Sequence, residues 1–324
     1  MSSLIEQAAL RLQQLRQAGI EVPLDSGETA VAEPQPAPAA PTSPATQLKK
    51  ALLSAAVTPG PASRRIDLDF AALAAVGIIT PDAPRTALAD QFRVIKRPLI
   101  ANAVGRGAAS LKHANLIMVT SALAGEGKTF NSVNLAMSIA AELDHTVMLV
   151  DADVARPSVL RTLGLPMGPG LLDVLEGKVD LAGALLRTNI DKLTLLPSGT
   201  PHPKATELLA SDAMKALLDD MATRYPDRII IFDSPPLLLT TESRVLATHM
   251  GQIVMVVNAG QTSQADVTHA LSTIESCPIR LMILNKARTD GPGGYGYGYG
   301  YGAYGYGHDH GDAEAPAETS AKPA

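Results

Sequence analysis

Apolar residues gather in this chain into short unbroken runs, and the stretches between the runs carry them at helical spacing. Six runs stand out, at 116–120, 146–150, 193–196, 229–232, 253–257 and 281–284. Each is four or five residues long, dominated by Val, Ile, Leu and Met, without polar alternation. That pattern predicts strands covered on both faces. The segment running through Asn134 to Ala140, and those at 206–221 and 264–276, read as helices. Strands alternating with helices predict an α/β domain with a mainly parallel sheet between two helical layers.

The rest of the chain is patterned differently. Residues 3–18 place Leu4, Ala8, Leu12 and Leu15 on one helical face, with Gly19 as the stop. This amphipathic helix either docks on a partner or packs on its own domain. From residue 21 to 64 proline recurs, at almost every second position in 33–44, which excludes helix and sheet and predicts a mobile spacer. Residues 85–102 predict a helix broken at Pro98, with Asp90, Arg93, Lys96 and Arg97 at three- and four-residue intervals. After Lys286 no apolar pattern remains. The expected organisation is therefore an N-terminal helix (1–20), a linker (21–64), the α/β domain (65–290, including the helix near 85–102) and a disordered tail (291–324).

Composition narrows the function. A net charge of −5 argues against a nucleic-acid partner. The one cysteine, Cys277, rules out a disulfide framework and a cysteine-rich metal site, and fits a reducing compartment. No run approaches the roughly 18 apolar residues of a spanning helix, and the start reads as no secretory signal, so a cytoplasmic location is expected. Aromatic residues are few: no tryptophan, four phenylalanines and seven tyrosines, of which only Tyr225 lies outside one tail segment. That segment holds Tyr295, Tyr297, Tyr299, Tyr301, Tyr304 and Tyr306, separated mainly by glycine. It is either a substrate that threads into a narrow site or an aromatic–glycine segment prone to association.

Three motifs carry chemistry. Ala122-Leu-Ala-Gly-Glu-Gly-Lys-Thr129 lies between a strand and a helix, where glycines let backbone amides wrap phosphate and the helix start adds positive charge. Its first position is Ala122 where the strict phosphate-loop pattern has glycine. Ala124, Gly125, Glu126, Gly127, Lys128, Thr129 and Phe130 are the expected nucleotide-binding residues, with Lys128 on the β and γ phosphates and the Thr129 hydroxyl on Mg2+. The second predicted strand ends in Asp151-Ala-Asp153, carboxylates aimed at the crevice where open α/β sheets bind ligands, or else forming an Asx turn. The fourth ends in Asp233-Ser-Pro-Pro236, whose aspartate is placed as a Walker-B-type acid near the metal.

In this order the three motifs resemble the Walker A, A′ and B motifs of the bacterial tyrosine kinases. Gly170–Gly177 and Thr206-Glu-Leu-Leu209 are similar too, and Phe92–Leu99 and the N-terminal helix resemble the exosortase-associated, exopolysaccharide-type branch. The resemblance implies a P-loop fold, ATP and Mg2+ as cofactors, and autophosphorylation of the tail tyrosines. It implies Mg2+ on Thr129, Asp153 and Asp233, and Asp151 receiving or orienting the tyrosine proton beside Lys128 and Asp233. Asn285 resembles a base-contacting asparagine; a turn former is an equal reading. The family's ring-forming helix is matched by Asp90, Arg93 and Lys96, although lysine cannot copy a bidentate arginine contact. It further implies a homo-oligomeric ring and a separate membrane-embedded polysaccharide chain-length regulator as activator, holding the protein peripherally at the inner membrane. Two rivals stand beside this reading. A partition or septum-site switch ATPase shares the aspartates but usually has a lysine where this chain has Leu123. A catalytically silent nucleotide-binding scaffold is the other.

Overall fold

All six apolar runs become strands, and two short strands at the margin join them. The computed structural model describes residues 63–81, 84–107, 112–224 and 227–287. The expected N-terminal helix, the linker up to residue 62 and the tail with its six tyrosines lie outside the described residues. In chain order the strands are β1 (Arg64–Arg65), β2 (Leu116–Ser121), β3 (Thr146–Asp151), β4 (Leu186–Arg187), β5 (Leu193–Leu196), β6 (Arg228–Asp233), β7 (Gln252–Asn258) and β8 (Ile279–Asn285). They form one sheet in the order β1-β4-β5-β3-β6-β2-β7-β8. Every pairing is parallel except β4 with β5.

The unbroken apolar runs follow from this. Along β2, Leu116 and Met118 enter one core while Ile117 and Val119 enter the other. β3, β6 and β7 divide their residues in the same way. A strand with helices on both sides has no solvent face, so alternation is lost, and each fully buried Val, Ile or Leu contributes about 1.5–3 kcal/mol. One layer is α1 (Phe70–Ala75), α2 (Ala87–Ala103), α3 (Lys128–Ala140) and α4 (Val159–Thr162), supplying Leu73, Phe92, Leu99, Ile139 and Leu160. The other is α5 (Leu171–Leu175), α6 (Leu181–Ala184), α7 (Ala205–Leu209), α8 (Asp212–Arg224), α9 (Thr241–Ala247) and α10 (Gln264–Ser272).

Several expectations are corrected. α2 runs through Pro98 without a break. Pro98 and Val94, four residues apart, both lie on the exposed face, so the carbonyl that loses its partner to the ring faces water, while Phe92 and Leu99 anchor the opposite face. The helix expected at 206–221 is two helices. Ser211 divides them: its hydroxyl donates to Leu208 O (2.6 Å) and accepts from Met214 N (3.2 Å). Its side chain thus closes one helix and caps the next. The third expected helix ends at Ser272 and not at 276.

Lys96 is not a surface residue available to a neighbouring subunit. Its ammonium is buried, donating to Ser138 O at 2.5 Å and pairing with Glu142 Oε1 at 2.6 Å. Lys192 donates to Glu142 O (2.5 Å) and Leu143 O (2.6 Å). Two lysines therefore cap the carbonyl end of α3, where the helix dipole favours positive charge. Asp90 and Arg93 do remain exposed, paired with each other one turn apart. Lys96→Ala should lower stability by about 1–3 kcal/mol, since it strips a buried carbonyl of its charged donor. Arg93→Ala should cost only a few tenths. Chemical denaturation of both variants checks this; equal losses would contradict it.

Candidate active site

The phosphate loop is built by turning its carbonyls away from the space it encloses. β2 delivers the chain into residues 122–127, and α3 begins at Lys128. Gly125 and Gly127 take φ of 79° and 98°, where a side chain is strained. At Gly127 a Cβ would also lie 2.2 Å from Asn285 Nδ2. Three side chains hold three consecutive carbonyls: Lys286 Nζ donates to Gly125 O (3.0 Å), Asn285 Nδ2 to Glu126 O (2.9 Å) and Asn131 Nδ2 to Gly127 O (2.9 Å). Among the described residues no acceptor takes the amides of Ala124, Gly125, Glu126 or Gly127. Those amides, at the start of a helix whose dipole is positive there, form an anion cradle.

Glu126 does not face that cradle. It is 2% exposed, and its carboxylate turns inward. Oε2 accepts from Leu123 N at 2.7 Å, and Oε1 accepts from the Thr262 hydroxyl and from Asn258 N. Its backbone belongs to the loop while its side chain ties the loop to the end of β7. Leu123, where a switch ATPase usually carries lysine, packs partly buried against the core. Phe130 packs against the opposite core.

The two strand-terminal aspartates meet as register partners, Asp151 on β3 and Asp233 on β6. Asp233 accepts from the Thr129 hydroxyl at 2.7 Å and from the Ser132 hydroxyl at 3.0 Å. Since Thr129 gives its proton to Asp233, the Ser158 hydroxyl at 2.6 Å donates to Thr129. Asp151 Oδ2 accepts from Ser158 N and Val159 N, both at 2.9 Å, and so binds the start of α4. Its Oδ1 is buried with no partner among the described residues. Asp153 Oδ1 accepts from Arg156 N at 3.1 Å, the amide that also bonds the Asp153 carbonyl, which leaves the other carboxylate oxygen uncommitted. Lys128 is buried to 9% exposure at the mouth of the same space. Ser132 and Ser158 were not legible as site residues, because small hydroxyls outside a motif give no signal.

Burial dominates the electrostatics. It raises Asp151 to about 7, with repulsion from Asp233 adding and the amides of Val159 and Ser158 opposing. It raises Asp233 to about 6 against the Thr129 and Ser132 hydroxyls and the Lys128 charge. Asp153 is raised too, first by burial. An acid whose folded pKa lies above its unfolded value binds more protons when folded, so stability falls as pH rises between the two values. The ligand-free protein should therefore lose stability through these two groups between about pH 4 and pH 7. Asp151→Asn removes one of them, and its stability relative to the parent should rise across that window. Melting curves at several pH values check this; a constant difference would contradict it.

A hydroxyl and a carboxylate in contact, with a second carboxylate nearby, form the oxygen set that suits Mg2+ when phosphate and water supply the rest. Among the described residues no trio of acidic, histidine or cysteine side chains forms an all-protein metal cage.

The chain is similar to several known proteins. A family model described as an AAA domain matches residues 114–284. The tyrosine-protein kinase YwqD of Bacillus subtilis (strain 168) is 31% identical over 205 residues, 63% of this chain and 83% of that protein. The tyrosine-protein kinase ptk of Acinetobacter johnsonii is 32% identical over 181 residues, 55% of this chain but only 24% of that protein. Among solved structures, the VpsO kinase domain superposes with a TM-score of 0.52 at 27% identity, covering 62% of this chain and 96% of that domain.

Proposed function

We propose that this chain, which belongs to the bacterial tyrosine-kinase family, transfers the γ-phosphoryl group of ATP to tyrosines of its own C-terminal cluster. One observation carries the substrate assignment. Asn285 and Lys286, close to the end of the described residues, bond the carbonyls of Glu126 and Gly125 at the lip of the phosphate loop. Tyr295 follows Lys286 by nine residues, a reach of about 16 Å as a coil and about 30 Å when extended. That reach supports delivery to the site of a neighbouring copy.

ATP would lie with its phosphates on the amides of 124–127 and on Lys128, its base toward Asn285. Mg2+ would rest on Thr129 and Asp233, with Asp153 beside them, and would neutralise charge on the transferring group. The residues of this chain do the positioning. Asn131, Asn285 and Lys286 hold the loop open, and Ser132 and Ser158 orient Asp233 and Thr129. Asp151 offers its unpartnered Oδ1 to the tyrosine hydroxyl. An ordinary carboxylate near 4 is a poor base for a phenol near 10. Raised to about 7, Asp151 halves that gap, and a loose phosphoryl-transfer transition state asks for little early deprotonation.

The exposed Asp90–Arg93 pair on α2 is the proposed contact of a homo-oligomeric ring. No helix of the described residues is long and apolar enough to cross a membrane. The proposed activator is a membrane-embedded chain-length regulator on a separate chain. Through it the kinase would sit at the inner membrane and regulate exopolysaccharide polymerisation and export. The test is to incubate the purified chain with ATP and Mg2+ and follow phosphotyrosine beside phosphate release. Phosphotyrosine on the tail is expected; phosphate release with no phosphotyrosine would instead indicate a switch ATPase.

A further inference from the structure

A second cleft, at the other end of the sheet, has the character of an anion site. It is about 350 Å3 in volume, and its lining includes Ser63, Arg65, Arg187, Asp191, Thr194 and Arg228. Arg228 opens β6 and Asp233 closes it, so the cleft lies about 17 Å from the catalytic carboxylates along the strand.

The arginines are arranged at a cost. Arg65 on β1 and Arg187 on β4 are register partners on neighbouring parallel strands. Their side chains therefore leave the same face, with backbones about 4.8 Å apart. Like charges opposed in this way repel and destabilise a sheet. Neither arginine has an ion-pair partner among the described residues. The two guanidiniums of Arg65 and Arg187 against the single carboxylate of Asp191 make a basic concavity on a chain of net charge −5.

The frame around them is fixed. Leu68 N donates to Asn189 Oδ1 (3.0 Å) and Asn189 Nδ2 donates back to Leu68 O (3.1 Å), clamping the segment after β1 to the turn after β4. The Thr188 hydroxyl is engaged with Ile190 and Leu193 at 3.0 Å, closing that turn from within. The repulsion is thus held in place rather than relaxed.

We propose that this cleft binds a small phosphorylated molecule whose phosphate or pyrophosphate group bridges Arg65 and Arg187. Guanidinium forks match phosphate oxygens bidentately, and the volume falls within the range of small-molecule sites. A bound dianion converts the Arg65–Arg187 repulsion into two attractions. The proposal is independent of the kinase reading, because none of these residues belongs to the catalytic site.

The test titrates inorganic pyrophosphate, without magnesium, into the full chain carrying Lys128→Ala to weaken the phosphate loop. The same titration is run on that chain with Arg65→Gln and Arg187→Gln added. Binding at least tenfold weaker in the second chain is expected. Coincident isotherms, or no binding to either chain, would overturn the proposal. Melting curves guard against misfolding: without ligand the arginine variant should melt no lower than its parent, and only the parent should gain stability from pyrophosphate. A variant that melts well below its parent would show the arginines to be structural and would also overturn it. Sedimentation with vesicles containing phosphatidic acid forms a second arm. Vesicle binding lost in the arginine variant, with pyrophosphate binding unchanged, would assign the cleft to a lipid headgroup instead.

Discussion

Replacing Lys128 with alanine should reduce phosphotyrosine formation by at least 10²–10³-fold, or about 2.7–4 kcal/mol of transition-state stabilisation, and leave the protein folded. The lysine sits at the first position of α3, largely buried, and no ion pair with a described carboxylate holds it. On the proposed reading its charge serves the phosphates and not the core. Circular dichroism and a melting curve should match the parent closely, while phosphotyrosine on the tail disappears. Autophosphorylation at the parental rate by a folded Lys128→Ala chain would remove the active-site assignment.

Asp233→Asn should separate activity from stability in opposite directions. Asp233 is 1% exposed and accepts two hydroxyl bonds, from Thr129 and Ser132. Asparagine can keep one of these through its carbonyl oxygen but brings no charge to the metal. If Asp233 lies beside the metal as proposed, its loss should lower the rate by orders of magnitude, in line with removal of one preorganised electrostatic group. Stability should respond differently. Burial raises Asp233 to about 6, so above that pH the ligand-free protein carries a buried charge it would rather neutralise. The ligand-free variant should therefore be at least as stable as the parent at pH 8, and lose any such advantage near pH 4. Parental turnover, or a variant much less stable at pH 8 than at pH 4 relative to the parent, would contradict the reading.

What was legible in the sequence follows from where physical signals are local. A strand buried on both faces must be apolar throughout, so β2, β3, β5, β6 and β7 could be read directly from the chain; β8 was read as a strand from the same kind of run, but it is the edge strand and, against the expectation of two covered faces, leaves Met282 and Leu284 exposed on one of them. Gly125 and Gly127 were legible because only glycine adopts their φ without strain. That Asp151 and Asp233 close β3 and β6 was legible because a charge marks the end of a buried apolar run. The two-residue strands β1 and β4 were not, since Arg64–Arg65 and Leu186–Arg187 are too short to show a period. Lys96 misled for a related reason. Its spacing from Arg93 matches a surface helix, but its burial depends on α3, which lies more than thirty residues further along. The inward turn of Glu126 depends on Thr262 and Asn258, more than a hundred residues away, and no local pattern announces it.

The most direct test of the central claim mixes two chains. One carries Lys128→Ala and an intact tail. The other has an intact site and phenylalanine at Tyr295, Tyr297, Tyr299, Tyr301, Tyr304 and Tyr306. Each phosphate adds about −1.5 to −2 charge, so six would add roughly −9 to −12 to the tail, enough to resolve modified chains by charge and by mass. With ATP and Mg2+, the account predicts that phosphotyrosine appears on the Lys128→Ala chain, on the tail cluster, and only when both chains are present. A Lys128→Ala chain that stays unmodified in the mixture, while the unaltered protein phosphorylates its own tail, would contradict transfer between copies. Absence of phosphotyrosine from the unaltered protein as well would contradict the kinase assignment itself.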